Sequence, residues 1–67
     1  MNKHNLAVLF RTMNPAIRHA STWDAIEATR DFGLAVAYGR LAEIPRHHHR
    51  KRRTLCEAIA DKLDSMP

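Results

Sequence analysis

The sequence predicts an all-α fold, either a small three-helix bundle or a helical hairpin with a short N-terminal helix. Two prolines, Pro15 and Pro45, divide the 67 residues into three segments. Proline disfavours helical conformation in the residue before it and favours the first helical turn after it, so it marks helix boundaries. Within each segment, apolar residues recur at the three- and four-residue spacing of an amphipathic helix.

The first segment predicts one short helix over roughly residues 3–13. Its apolar positions lie on a single helical face: Leu6, Leu9, Phe10 and Met13. Asn14 follows directly, and its side chain is suited to cap a turn that opens with Pro15 and carries Ile17.

The second segment predicts a long helix from about residue 21 to Glu43. Ser21 and Asp24 have the spacing of a capping box at its start. A broad apolar surface, flanked by a stripe of small residues, predicts that this helix is central to the fold. An alternative is that Gly33 ends a helix after Phe32 and splits the element in two, because glycine weakens a helix interior.

The third segment predicts a helix over roughly residues 46–65, with Leu55, Ile59, Leu63 and Met66 on one face. A tight joint at Ile44–Pro45 predicts that it folds back on the second helix as an antiparallel hairpin. The expected core or interface anchors are Trp23, Ile26, Leu34, Leu41, Leu55, Ile59 and Leu63.

Length and composition predict one domain, residues 1–67, that associates with another chain. A chain this short buries only about 60% of its unfolded surface. It has a single cysteine, Cys56, and therefore no internal disulfide to compensate. We therefore expect a homodimer or a hetero-complex. The lone cysteine suits a reducing compartment, and no apolar run is long enough for a signal peptide or membrane span, so we expect a cytoplasmic protein without membrane contact.

The positive charge of the chain is concentrated in one place. The net charge is +4, whereas residues 46–53 alone carry +5, so the other 59 residues sum to −1. We call this segment, together with Arg40 at the end of the preceding helix, the basic tip: Arg40, Arg46, His47, His48, His49, Arg50, Lys51, Arg52 and Arg53. Cations at a helix N-terminus oppose the helix dipole, which indicates an anion-binding surface. The simpler interpretation is a solvated charge run.

Metal binding and catalysis are weakly indicated, and we expect no cofactor, no metal and no enzymatic activity. Three consecutive histidines on a helix point about 100° apart, so they cannot all face one ion. His19, Ser21 and Asp24 superficially resemble a hydrolase triad, but no oxyanion hole is evident and capping explains two of them. Cys56 adjoins the apolar face of the third helix, so we expect a buried structural thiol rather than a reactive one.

These observations favour a non-enzymatic regulatory or inhibitory protein whose basic tip contacts an acidic macromolecule, and a protein partner is favoured over nucleic acid. One alternative is nucleic-acid binding with the tip on phosphates. A helix-turn-helix with Gly33 as the turn is a weaker version, because its recognition helix, residues 34–44, offers almost no base-reading side chains. The other alternative is a structural subunit of a larger assembly.

Overall fold

A computed structural model describes residues 2–67, and it confirms the all-α class but corrects the number of helices. Four α-helices are present: α1 (Lys3–Arg11), α2 (Ala20–Ala28), α3 (Phe32–Glu43) and α4 (His49–Ser65). A single 3-10 turn, Pro15–Arg18, lies between α1 and α2. The three-helix prediction was therefore wrong in its count, because the predicted second helix is two helices.

Helix α1 and the turn after it form as the sequence predicts. Asn2 caps α1, and its side chain accepts a hydrogen bond from the backbone N–H of Asn5 at 2.8 Å. At the other end Met13 adopts a left-handed conformation, and the N–H groups of Met13 and Asn14 close a Schellman motif onto the last turn. The Asn14 side chain then accepts from the N–H of Ala16 at 2.8 Å, which caps the 3-10 turn.

The single long second helix was a wrong prediction, and so was a break at Gly33. The chain leaves helical conformation at Arg30, whose φ is 56°. The Thr29 hydroxyl donates to the carbonyl of Ile26 at 2.6 Å, and the Asp31 carboxylate accepts from the N–H of Leu34 at 2.9 Å. Both hydrogen bonds satisfy backbone groups that a continuous helix would have paired, so they stabilise two helix ends here. Gly33 lies in the first turn of α3.

The capping box at Ser21 and Asp24 was also wrong. Helix α2 begins at Ala20, with His19 in the N-cap position and no side-chain hydrogen bond to the cap. The backbone runs from the 3-10 turn into α2 through His19 alone, so the preceding turn rather than Ser21 sets the start of the helix.

Helix α4, not the predicted second helix, is central. Both α1 and α3 pack against it, and α2 packs against α3 and the 3-10 turn. The ion pair between Asp31 at the start of α3 and Lys62 near the end of α4 shows that these two helices are antiparallel. The predicted fold-back at Pro45 is therefore confirmed for α3 and α4. The buried apolar core draws on every element: Leu6, Ala7, Phe10, Ile17, Ile26, Leu34, Leu41, Cys56, Ile59, Ala60 and Leu63.

The predicted anchors divide between this core and the surface. The structure buries Ile26, Leu34, Leu41, Ile59 and Leu63 and leaves Leu55 partly buried. Trp23 differs, because 39% of its surface is exposed. Phe32 is 84% exposed and Val36 40%, so α3 also presents an apolar outer face to solvent.

Candidate binding surface

The basic tip is partly turn and partly helix. Helix α4 begins at His49, three residues later than predicted, so Arg46, His47 and His48 form the connection from α3. The His48 N–H donates to the carbonyl of Pro45 at 3.0 Å, which closes this connection, but the His48 side chain makes no capping hydrogen bond to α4. Arg40 lies near the end of α3, and His49 to Arg53 occupy the first turn and a half of α4.

The ion pairs lie at the other end of the molecule. Arg11 binds Asp64 and Asp61, the latter at 3.0 Å, and Lys62 lies 3.2 Å from Asp31. The hydrogen bond to Asp64, followed by that to Asp61, raises the pKa of Arg11. Among residues 2–67 no ion pair includes a member of the basic tip, although acidic residues adjoin it in sequence on both sides. Three acidic residues at that end, Asp31, Asp61 and Asp64, are therefore paired within the chain, whereas the basic tip is left for solvent or a partner.

A cleft of about 470 Å³ opens beside the basic tip. Its walls come from the 3-10 turn, the start of α2 and the second half of α3, and Arg52 of α4 lines it as well. Because Arg52 also belongs to the basic tip, the cationic and apolar surfaces are continuous. The lining residues are Ile17, Arg18, His19, Ala20, Trp23, Tyr38, Gly39, Leu41, Ala42 and Arg52.

Two hydroxyl groups hold the 3-10 turn in place and so shape this cleft. Thr22, the buried polar residue of α2, donates to the carbonyl of Ala16 at 2.8 Å. The Tyr38 hydroxyl of α3 donates to the carbonyl of Ile17. Each bond satisfies a backbone acceptor of the turn from a different helix, so the turn is fixed to both α2 and α3.

Aromatic contacts place Trp23 at the mouth of the cleft. The Trp23 and Tyr38 rings lie 4.8 Å apart at a tilt of 36°, and the Tyr38 ring meets Phe10 edge-on at 5.6 Å. Phe10 is fully buried, so this series of rings runs from the core to the surface. Aromatic pairs at these separations add to the stability that burial provides. Trp23 is thus held rigidly while its outer part remains accessible.

Positive charge surrounds the apolar walls. Burial raises the pKa of Tyr38, and the positive charge of Arg18 acts in the opposite direction. Arg52 contributes a buried Nε that has no hydrogen-bond acceptor in the described part of the chain. None of the ten residues lining the cleft is acidic. The cleft therefore combines apolar walls with a cationic rim.

The other candidate residues are not assembled into a site. The His47 and His48 rings pack edge to face, 4.3 Å apart, and nowhere in residues 2–67 do three or more potential metal ligands of the His, Cys, Asp and Glu types group together. Ser21 and Asp24 are exposed on α2. Cys56 is fully buried, and burial raises the pKa of its thiol, as expected of a structural residue.

Sequence reasoning missed the residues that make the cleft. Arg18 is far from the basic tip in sequence, Tyr38 and Gly39 directly precede Arg40, and none of the three forms a motif with the tip. One available signal was Gly39, because a glycine in the interior of a helix lowers its stability and therefore points to a packing or functional role at that position.

Comparison with known protein families, curated proteins and solved structures found no match to this chain. Every helix in the part of the chain that the structure describes is too short or too polar to cross a bilayer.

Proposed function

We propose that this protein is a non-enzymatic regulator or inhibitor that binds an acidic protein through the basic tip. The observation that supports it most is the shared position of Arg52, which belongs to the unpaired cationic segment and also lines an apolar cleft. Protein interfaces combine an apolar centre with a polar rim, and aromatic and arginine residues are enriched in them. Electrostatic complementarity would steer the acidic partner to this surface.

The same surface favours protein over nucleic acid. Phosphate contacts need cations but no apolar cleft, and reading base edges needs polar side chains on a helix that enters the groove. Helices α2 and α3 are joined by a short turn in the manner of a helix-turn-helix, but the exposed face of α3 presents Phe32 and Val36. Arg40 is the one cation of that helix. The outer face of α3 therefore suits contact with protein.

The protein is proposed to act in the cytoplasm as a homodimer or in a hetero-complex. The exposed apolar residues of α3 support association, because burying them against another chain would remove apolar surface from water. Sedimentation velocity across a hundredfold range of protein concentration tests the homodimer. A constant sedimentation coefficient of the monomer would leave the hetero-complex as the form to be sought.

A pair of charge-matched variants tests the role of the basic tip. The variant K51Q/R53Q removes two exposed cations from the tip, and the control K3Q/R30Q removes one lysine and one arginine elsewhere, so the two proteins have equal net charge. Each is used for affinity capture from a lysate of the native host, followed by mass spectrometry, with and without nuclease. We expect the tip variant, but not the control, to lose the captured protein, and nuclease to have no effect.

Two results would reject the proposal. Equal capture by K51Q/R53Q and the wild type would make the tip only a solvated charge run. Loss of every captured species after nuclease would favour nucleic acid as the partner. If the tip then neutralises four phosphates of a labelled 20-base-pair duplex, the logarithm of the affinity should fall with the logarithm of the salt concentration at a slope of about −3.6.

A further inference from the structure

The cleft itself adds a more specific expectation about the partner. Resting on the proposed function, we propose that the cleft receives a large apolar side chain from an acidic segment of the partner protein. Carboxylates precede and follow that side chain in the segment. Its volume of about 470 Å³ lies within the range of sites that enclose small ligands. It can therefore hold one large side chain together with the backbone next to it.

Charge complementarity selects an acidic occupant. Arg18 lines the cleft from the 3-10 turn and Arg52 lines it from α4, and the cleft lining has no acidic residue to neutralise them. No carboxylate of residues 2–67 forms an ion pair with either arginine. A peptide that places a carboxylate before and after an apolar side chain would satisfy both arginines while that side chain contacts Trp23 and Tyr38.

The glycine at position 39 keeps the cleft wall free of a side chain. Its φ is not positive, so the backbone there does not require glycine. Apart from its chain neighbours and the backbone of its own helix, a Cβ atom added at this position would meet no atom within 4 Å, so close packing does not require glycine either. Glycine nevertheless weakens a helix interior relative to alanine. Since Gly39 lines the cleft, the property that it supplies is the absence of a side chain at the cleft wall.

The test fills the cleft without touching the basic tip. Gly39→Leu places a branched side chain in the open space, and Gly39→Ala is an intermediate variant that adds only a methyl group. Both variants should fold, because each residue favours helix more than glycine does, and thermal melting followed by circular dichroism verifies this. Trp23 is the only tryptophan of the chain, so its fluorescence reports directly on occupation of the cleft.

The probe is a capped octapeptide with a Leu-Phe pair between two runs of three glutamates. Its two controls carry Ala-Ala in place of the pair, or lysines in place of the glutamates. We expect Gly39→Ala to bind the acidic Leu-Phe peptide more weakly than wild type and more strongly than Gly39→Leu, because each step fills more of the cleft. Gly39→Leu, or the Ala-Ala peptide with wild type, should weaken binding by at least about tenfold, which corresponds to the burial of one apolar side chain.

Each alternative outcome has a defined meaning. Equal binding to Gly39→Leu and wild type, with weaker binding to K51Q/R53Q, would overturn the cleft inference and leave the proposed function standing. Absence of binding to wild type by the acidic peptide, or equal binding of the lysine peptide, would overturn the cleft inference as well. A wild-type dimer that Gly39→Leu converts to monomer would identify the occupant as a second copy of this chain and also overturn it.

Discussion

The 3-10 turn that shapes the cleft depends on Thr22, and this dependence leads to a quantitative prediction. Thr22 is fully buried, and its hydroxyl donates to the carbonyl of Ala16 at 2.8 Å. Thr22→Val keeps the β-branched shape but removes this donor, and the Ala16 carbonyl keeps the hydrogen bond from the backbone N–H of His19 at 3.0 Å. The acceptor therefore still has a partner, and the expected loss is that of one hydrogen bond, about 1 kcal/mol net.

Urea unfolding and thermal melting measure this effect. About 1 kcal/mol changes the melting temperature of a domain this small by about 4–8 °C, so the Thr22→Val variant should melt about 4–8 °C lower. Circular dichroism at 222 nm reports on all the helices, and Trp23 fluorescence reports on the cleft. Loss of the hydrogen bond should also weaken binding of the acidic Leu-Phe peptide, because the 3-10 turn forms one wall of the cleft.

Thr54→Val is the matched control. The Thr54 hydroxyl also donates to a backbone carbonyl, that of Arg50 at 2.9 Å, but it is exposed on α4. Water can replace that bond, so the same substitution should change stability by no more than about 0.5 kcal/mol. If both variants lose the same stability, or if Thr22→Val loses none, the burial of the Thr22 hydrogen bond does not fix the turn.

Three further predictions concern the helix ends and the thiol. Arg30→Gly should stabilise the protein by up to about 1 kcal/mol in urea unfolding, because glycine adopts the left-handed conformation without steric cost, whereas Arg30→Ala should give no gain. The hydrogen bond from Leu34 and the ion pair with Lys62 lower the pKa of Asp31. The Asp31 carboxylate therefore stabilises the folded protein at pH values above the ordinary carboxyl pKa, and this stabilisation is lost as the pH falls through the lowered pKa. The urea concentration at the unfolding midpoint should therefore decrease as the pH is lowered below about 4, and it should decrease less steeply in the Asp31→Asn variant. Cys56 should react with a thiol reagent at least about 100-fold more slowly in the native protein than in urea, because burial shields the sulfur and raises its pKa.

The parts of the fold that sequence reasoning predicted correctly depend on local rules. Pro15 and Pro45 mark boundaries because the proline ring restricts its own φ and the conformation of the residue before it, whatever the tertiary structure. Asn14 caps the 3-10 turn through a hydrogen bond that spans two residues. Such contacts do not depend on distant parts of the chain. The sequence therefore predicted the helix of the first segment and the turn between α3 and α4.

A split into two helices was foreseen as an alternative, but its position between α2 and α3 was missed because the residues there are ambiguous one at a time. Asp31 is a good N-cap, and Thr29 can bond to a backbone carbonyl, but both residues also occur inside helices. Arg30 gives no warning of a left-handed conformation, which is uncommon for a side chain of its size. Gly33 attracted the prediction instead, although it is an ordinary residue in the first turn of α3. The N-cap pattern of Asp31 followed by Phe32 was the more informative signal.

The cleft could not be predicted, because it is made by contacts between distant segments. Ile17 and Tyr38 are 21 residues apart, and their hydrogen bond exists only once α3 packs beside the 3-10 turn. Arg52 joins them from a third element. Charge counting identified the cations of the tip, but only the folded arrangement shows that one of them borders an apolar wall.

The start of α4 lacks the side-chain cap that stabilises the starts of α1, the 3-10 turn and α3. Asn2, Asn14 and Asp31 each provide a side-chain cap for the element that follows, and α2 continues directly from the 3-10 turn. Helix α4 has no such cap, no acidic residue in its first turn, and instead a run of cations. Free N–H groups and the positive end of the helix dipole already favour an anion there, so adding cations lowers stability unless an anion is supplied. Asp31, Asp61 and Asp64 are engaged with Arg11 and Lys62 at the opposite end, and within residues 2–67 neither Glu43 nor Glu57, which adjoin the tip in sequence, forms an ion pair with it. The acidic partner that we propose would supply that anion.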